Sequence, residues 1–123
     1  MVESMVEHRS GVILHCFTPQ EWAEAEATGV ISPPSLTTEG FVHCSTDEQI
    51  DGVLERFYAD VDDVVVAEVD LHRLAYLAPD SEVRWEAPAH PDGSPNTAAE
   101  AHQRFPHVYG PIPLAAITTT RNR

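Results

Sequence analysis

Five side chains able to move protons or hold a polar ligand sit at strand ends or in short strand-like strings. His15 lies in GVILHCF and His43 in GFVHCS, each just before a helix-capping signal, and His107 and Tyr109 share FPHVYGP with two prolines. Glu86 closes VRWE, two residues after Arg84. Side chains alternate along a strand, so His15 and Phe17 share one face while Cys16 takes the other. By the same rule His43 and Ser45 share a face opposite Cys44, and His107 and Tyr109 share one opposite Val108. An imidazole near neutral pH can act as acid, base or hydrogen-bond partner. A phenol beside it can hydrogen-bond or stack. Arg84 and Glu86 read first as a surface ion pair; alternatively Arg84 clamps a carboxylate or phosphate and Glu86 acts as general base or orients a ribose. If the strands of His15 and His43 pair, both rings open onto one cleft beside two helix N-termini, Thr18 capping the first, a setting suited to an anion.

The elements that must position these groups are legible in outline. Gly11 to Phe17 reads as a strand, and Thr18-Pro19-Gln20-Glu21 as a capping box opening a helix that ends at Gly29. Trp22, Ala23 and Ala27 give that helix its apolar stripe. Val30 to Glu39 reads as a loop and Gly40 to Cys44 as a second strand. Ser45 to Glu48 reads as a second capping box, before a helix whose apolar face is Ile50, Val53, Leu54, Phe57 and Tyr58. Val64 to Leu71 and Glu82 to Glu86 are two further strands. Ala87 to Arg104, with three prolines, reads as a flexible loop or lid, and Phe105 to Thr120 as one or two final strands. This order predicts an α+β single domain over residues 11–123, with a split, mostly antiparallel sheet and two main helices, behind a flexible arm at residues 1–10.

Composition narrows the function classes. The 123 residues carry 20 acidic side chains against seven cations, a formal net charge of −13, and every cation is arginine. General nucleic-acid binding is thereby disfavoured, and lysine Schiff-base or Walker chemistry is excluded. No apolar run is long enough to span a membrane. Two cysteines without a C-x-x-C pair, and no apolar leader at the start, lead us to expect reduced thiols in a cytoplasmic protein. The seven histidines leave one metal alternative, a three-histidine site from His15, His43 and His107. His72, His90 and His102 read as solvated, and Asp60, Asp62 and Asp63 as turn residues.

Four segments, ILHCFTPQEW, EGFVHCSTDEQI followed by RFY, VRWE and FPHVYGP, together resemble the small bacterial family called domain of unknown function 952. That resemblance implies an architecture similar to ADP-ribosyltransferase-like folds. It therefore implies a small-molecule ligand of the NAD or ADP-ribose type, and ADP-ribosyltransferase-like chemistry if the protein is an enzyme. His15 matches the histidine that holds the ribose, and Gly40 to Ser45 matches the second motif. Ser45 and the helix ends would then hold phosphate, with Tyr109 or His107 flanking a ring. The glutamate expected before the valine-tyrosine pair is replaced by Phe105. Either Glu86 supplies that carboxylate from another strand, or the chain binds a nucleotide without transferring it. A non-catalytic interaction domain is the remaining alternative.

Overall fold

The computed structural model describes residues 11–88, 90 and 93–123. The expected arm at residues 1–10 lies outside them.

Three antiparallel sheets organise the described residues. Strand β1 (Val12–Phe17) pairs with β4 (Val65–Asp70), and β4 with β8 (Ile117–Asn122). In a second leaf, β3 (Val42–His43) and β5 (Glu82–Glu86) flank β6 (Phe105–Tyr109). A short ribbon joins β2 (Val30–Ile31) to β7 (Ile112–Pro113). The two leaves meet where Leu14 and Ser45 exchange backbone hydrogen bonds of 2.7 and 2.8 Å. The fold is thus α+β with antiparallel sheets, split at this junction, and the junction sets His15 beside the end of β3.

Helix α1 (Pro19–Thr28) forms where its caps place it. Thr18 Oγ1 accepts from the Glu21 amide, the Glu21 carboxylate accepts from the Thr18 amide, and Gly29 closes the helix at φ 79°. Ala25, with Trp22, faces the core rather than Ala23 and Ala27, which are exposed. Helix α3 (Ile50–Phe57) follows a turn in which Thr46 and Gln49 satisfy each other's amides. The box lies one residue later than the sequence suggests, because Ser45 is drawn into the junction with Leu14. Ile50 and Leu54 are buried and Val53 and Tyr58 pack beside them, whereas Phe57 is exposed.

Two α-helices and the short strand β2 add to the elements expected from the sequence. A four-residue helix α2 (Ser35–Thr38) lies within the expected loop, and α4 (Leu71–Leu77) grows directly out of β4. Asp70 caps α4 by accepting from the Arg73 amide, and Leu74 is buried. The final segment makes three strands rather than the one or two expected. Of the three aspartates expected in turns, Asp63 has a left-handed backbone, φ 58°.

Alternation divides the apolar side chains between two clusters. Ile13, Phe17, Val42, Cys44, Val108 and Ile112 belong to the larger one, between the two leaves. Leu14, Cys16, Val64 and Val66 turn the other way, onto Ile50 and Leu54 of α3. The cysteines are free, buried and in different clusters, and burial pushes Cys16 up to about 11, so neither is a ready nucleophile. Among the described residues no helix is long and apolar enough to cross a membrane.

The described part of the 87–104 stretch is anchored. The Glu100 carboxylate accepts from Arg56 at 2.7 Å, from the Thr97 amide at 2.9 Å and from His90 at 3.1 Å. His90 is therefore a partner of Glu100, not a solvated side chain. These donors hold Glu100 at about 2, well below the ordinary carboxylate value of 4.5. A carboxylate with a lowered folded-state pKa contributes stability above its unfolded value and loses it as pH falls to the folded value. The variant Glu100→Gln is expected to melt earlier than the parent at pH 7, and the gap is expected to close between pH 4.5 and about 2, as thermal melts at stepped pH can read.

Candidate functional site

His15 is the hinge between the leaves. Its Nδ1–H donates to the His43 carbonyl oxygen at 2.7 Å, which fixes the neutral tautomer with a bare Nε2. The ring packs edge-on to Phe17 and is only 8% exposed. Burial lowers its pKa from 6.5 against the pull of the His43 carbonyl and the Glu21 carboxylate, so the ring is uncharged near neutral pH.

His107 repeats the arrangement from the other leaf. Register sets it opposite both His43 on β3 and Arg84 on β5. Its Nδ1–H donates to Glu86 Oε1 at 2.8 Å, and the Tyr109 hydroxyl donates to the same oxygen at 2.7 Å. The residue is 2% exposed, and burial lowers its pKa although Glu86 opposes the shift. The hydrogen bonds from Tyr109 and His107 hold the Glu86 carboxylate below its ordinary value and push the Tyr109 phenol up. Among the described residues neither His15 nor His107 has a hydrogen bond at Nε2.

Both rings line one open cleft of about 1410 Å³, together with His43, Ser45 and Thr18. His43 Nε2 donates to Glu39 at 3.1 Å, and its ring centroid is 5.6 Å from that of His107. Ser45 is buried, and its hydroxyl has no partner among the described residues.

The other expected residues lie differently. Arg84 pairs with Glu82 at 3.1 Å instead of Glu86, and its guanidinium sits 4.1 Å above the Tyr109 ring. Arg84, Tyr109 and Glu86 are not on the cleft wall; Glu86 reaches the cleft through His107. Thr18 is on the wall, but its hydroxyl oxygen accepts the capping hydrogen bond. The anion setting expected at the helix N-termini is not what forms: at α1 the Thr18 amide meets the Glu21 carboxylate and the Glu21 amide meets the Thr18 hydroxyl, and Thr46 and Gln49 serve each other before α3. The three-histidine metal alternative does not fit either. Among the described residues no three metal-ligating side chains are grouped to hold an ion.

Two contributors were missed in the sequence. Phe41 stacks on His107 with centroids 4.1 Å apart and touches His43 and Tyr109. It shares the alternation of His43 and Ser45, a signal present in GFVHCS. Glu39 precedes the strand, and nothing in its spacing marked it as the partner of His43.

Residues 16–120 match the family described as protein of unknown function DUF952. The chain belongs to the DUF952 family. Three solved structures share its fold, all of protein CC0527 from Caulobacter crescentus. The crystal structure is 23% identical, covers 90% of this chain and 84% of that one, and has a TM-score of 0.68. A methionine double mutant of the same protein is 22% identical, with the same coverage and a TM-score of 0.68. The solution structure is 23% identical, covers 91% and 84% of the two chains, and has a TM-score of 0.65. No curated protein matches the chain. In this DUF952 chain the first two residues of VHCS form β3 and FPHVY forms β6, the paired strands that carry His43 and His107.

Proposed function

We propose that the cleft binds a ribosyl-bearing ligand of the NAD or ADP-ribose type. The observation that carries this reading is that His15 and His107, from separate leaves, each spend Nδ1–H on the protein and keep a neutral Nε2 acceptor on one cleft wall. Two acceptors of this kind complement hydroxyl donors, and a ribose diol supplies an adjacent pair. Aromatic walls at Phe17 and Phe105 suit a flat ring. The likeness to ADP-ribosyltransferase-like folds, carried by His15 and the Gly40 to Ser45 segment, points to the same class of ligand.

Binding without transfer is the better-supported form. Ribosyl transfer develops positive charge on the sugar, and a carboxylate in contact with it stabilises that charge. Phe105 occupies the motif position, and its cross-strand partner is Glu86. Glu86 touches His107 and Tyr109 rather than the cleft, so it is a positioning residue that fixes the His107 tautomer.

Calorimetric titration with NAD and ADP-ribose tests the reading. Saturable heat and a rise in melting temperature at millimolar ligand are expected. The variant His15→Asn keeps a donor near the Nδ1 position and removes Nε2. It is expected to weaken binding about tenfold, the worth of one hydrogen bond. The absence of heat and of a thermal shift for both compounds would overturn it.

A further inference from the structure

We propose, resting on the reading above, that the ligand of this cleft is a cationic N-riboside, and that phosphate groups weaken its binding. The wall is built for positive charge. Glu21, Glu24 and Glu39 line it, and the single guanidinium among the described lining residues, Arg56, has Nη1 on Glu100 at 2.7 Å. The carboxylates flank the two imidazoles: Glu21 acts electrostatically on His15, and Glu39 on His107.

The place where a phosphate would ordinarily find donors is already occupied. The N-terminus of α1 is neutralised by the Glu21 carboxylate, which accepts from the Thr18 amide at 2.8 Å. The buried imidazoles add acceptors, not cations, because burial keeps both neutral. His43 turns its Nε2–H to Glu39. The cleft thus presents lone pairs from two buried imidazoles and negative charge from carboxylates, Glu21 and Glu24 among them exposed, and its complement is a ligand with hydroxyl donors and a quaternised ring. A pyrophosphate brings two negative charges toward the same carboxylates, which opposes its binding.

Three probes separate the terms: nicotinamide riboside, a phosphate-free cation; its reduced form, the neutral near-isostere; and ADP-ribose, an anion without the charged ring. Calorimetry at low salt is expected to rank the cation about tenfold tighter than the neutral form, with ADP-ribose weaker than both. Raising the salt to 0.5 M is expected to narrow the spread, since the Debye length falls to about 4 Å. The double variant E21Q/E39Q is expected to erase the preference with little loss of melting temperature. Glutamine can still complete the cap at position 21 and accept from His43 at position 39. ADP-ribose binding as tightly as the cationic riboside would overturn the inference and leave the ribosyl reading standing. So would equal affinity of the oxidised and reduced ribosides, or a preference unchanged in E21Q/E39Q. Failure of all three probes to bind, or binding unchanged in His15→Asn, would instead remove the ribosyl reading, and this inference with it.

Discussion

Acidifying the protein from pH 7 to pH 5 is expected to destabilise it progressively, through His15 and His107. Burial lowers both pKa values below the ordinary 6.5. The sign follows from proton uptake. Above pH 6.5 both states leave these rings neutral and stability is at its plateau. Below it the unfolded chain takes up protons that the folded rings refuse, so the balance shifts toward unfolding until each folded pKa is reached. The slope is at most about 1.4 kcal/mol per pH unit for each histidine, about 2.7 for the pair. Urea denaturation at half-unit pH steps reads this directly. Each single variant, His15→Asn or His107→Asn, keeps a donor for the Nδ1 partner and is expected to remove about half of the slope. A midpoint independent of pH between 7 and 5 would contradict the neutral assignment of both rings, and with it the bare acceptors on which binding depends.

The same burial explains why this site was only partly legible in the sequence. Alternation correctly separated His15 from Cys16, His43 from Cys44 and His107 from Val108, because period-two geometry is local. It could not show which strands pair. The bridge between Leu14 and Ser45, which brings the leaves together, involves backbone atoms of residues far apart in the chain. Helix α4 escaped notice because β4 passes into it with no intervening turn residue; the cap at Asp70 was its one local mark. Helix α2 is too short to show a period. The pairing of Arg84 with Glu82 instead of Glu86 follows from two donors, His107 and Tyr109, arriving from the neighbouring strand at Glu86. The 87–104 stretch looked loose because its polar composition hides one buried carboxylate, Glu100, that gathers donors from Arg56, Thr97 and His90. Phe57, on the apolar face of α3 by spacing, is exposed, while Tyr58, the next residue, packs against the smaller cluster.

Gly110→Ala is expected to be the most damaging small substitution outside the apolar core, and to damage the site as well as the fold. Gly110 has φ +152°, a backbone that side-chain-bearing residues rarely adopt. A Cβ there would collide with Ser81 Oγ and lie 2.9 Å from the Ser81 Cα and 3.0 Å from its Cβ. Ser81 cannot simply turn aside, because its hydroxyl donates to the Pro111 carbonyl at 2.7 Å and its backbone leads straight into β5. Strain and forced displacement together cost about 2–4 kcal/mol. Ser81→Ala should not rescue the variant, since the Cα and Cβ contacts remain; Ser81→Gly should rescue part of it. The consequence for the site follows from register. The junction of Ser81 with Gly110 starts the pairing that sets Glu82 against Tyr109, Arg84 against His107 and Glu86 against Phe105. Pushing β5 away pulls the Glu86 carboxylate from His107 Nδ1 and frees the ring to change tautomer. In nitrogen-15 NMR spectra the parent His107 is expected to show a protonated Nδ1 and a bare Nε2, and the variant a mixture of the two tautomers. Stability within 0.5 kcal/mol of the parent (roughly the scatter of ordinary surface substitutions), or an unmixed His107 signal, would mean that β5 is not positioned by this contact.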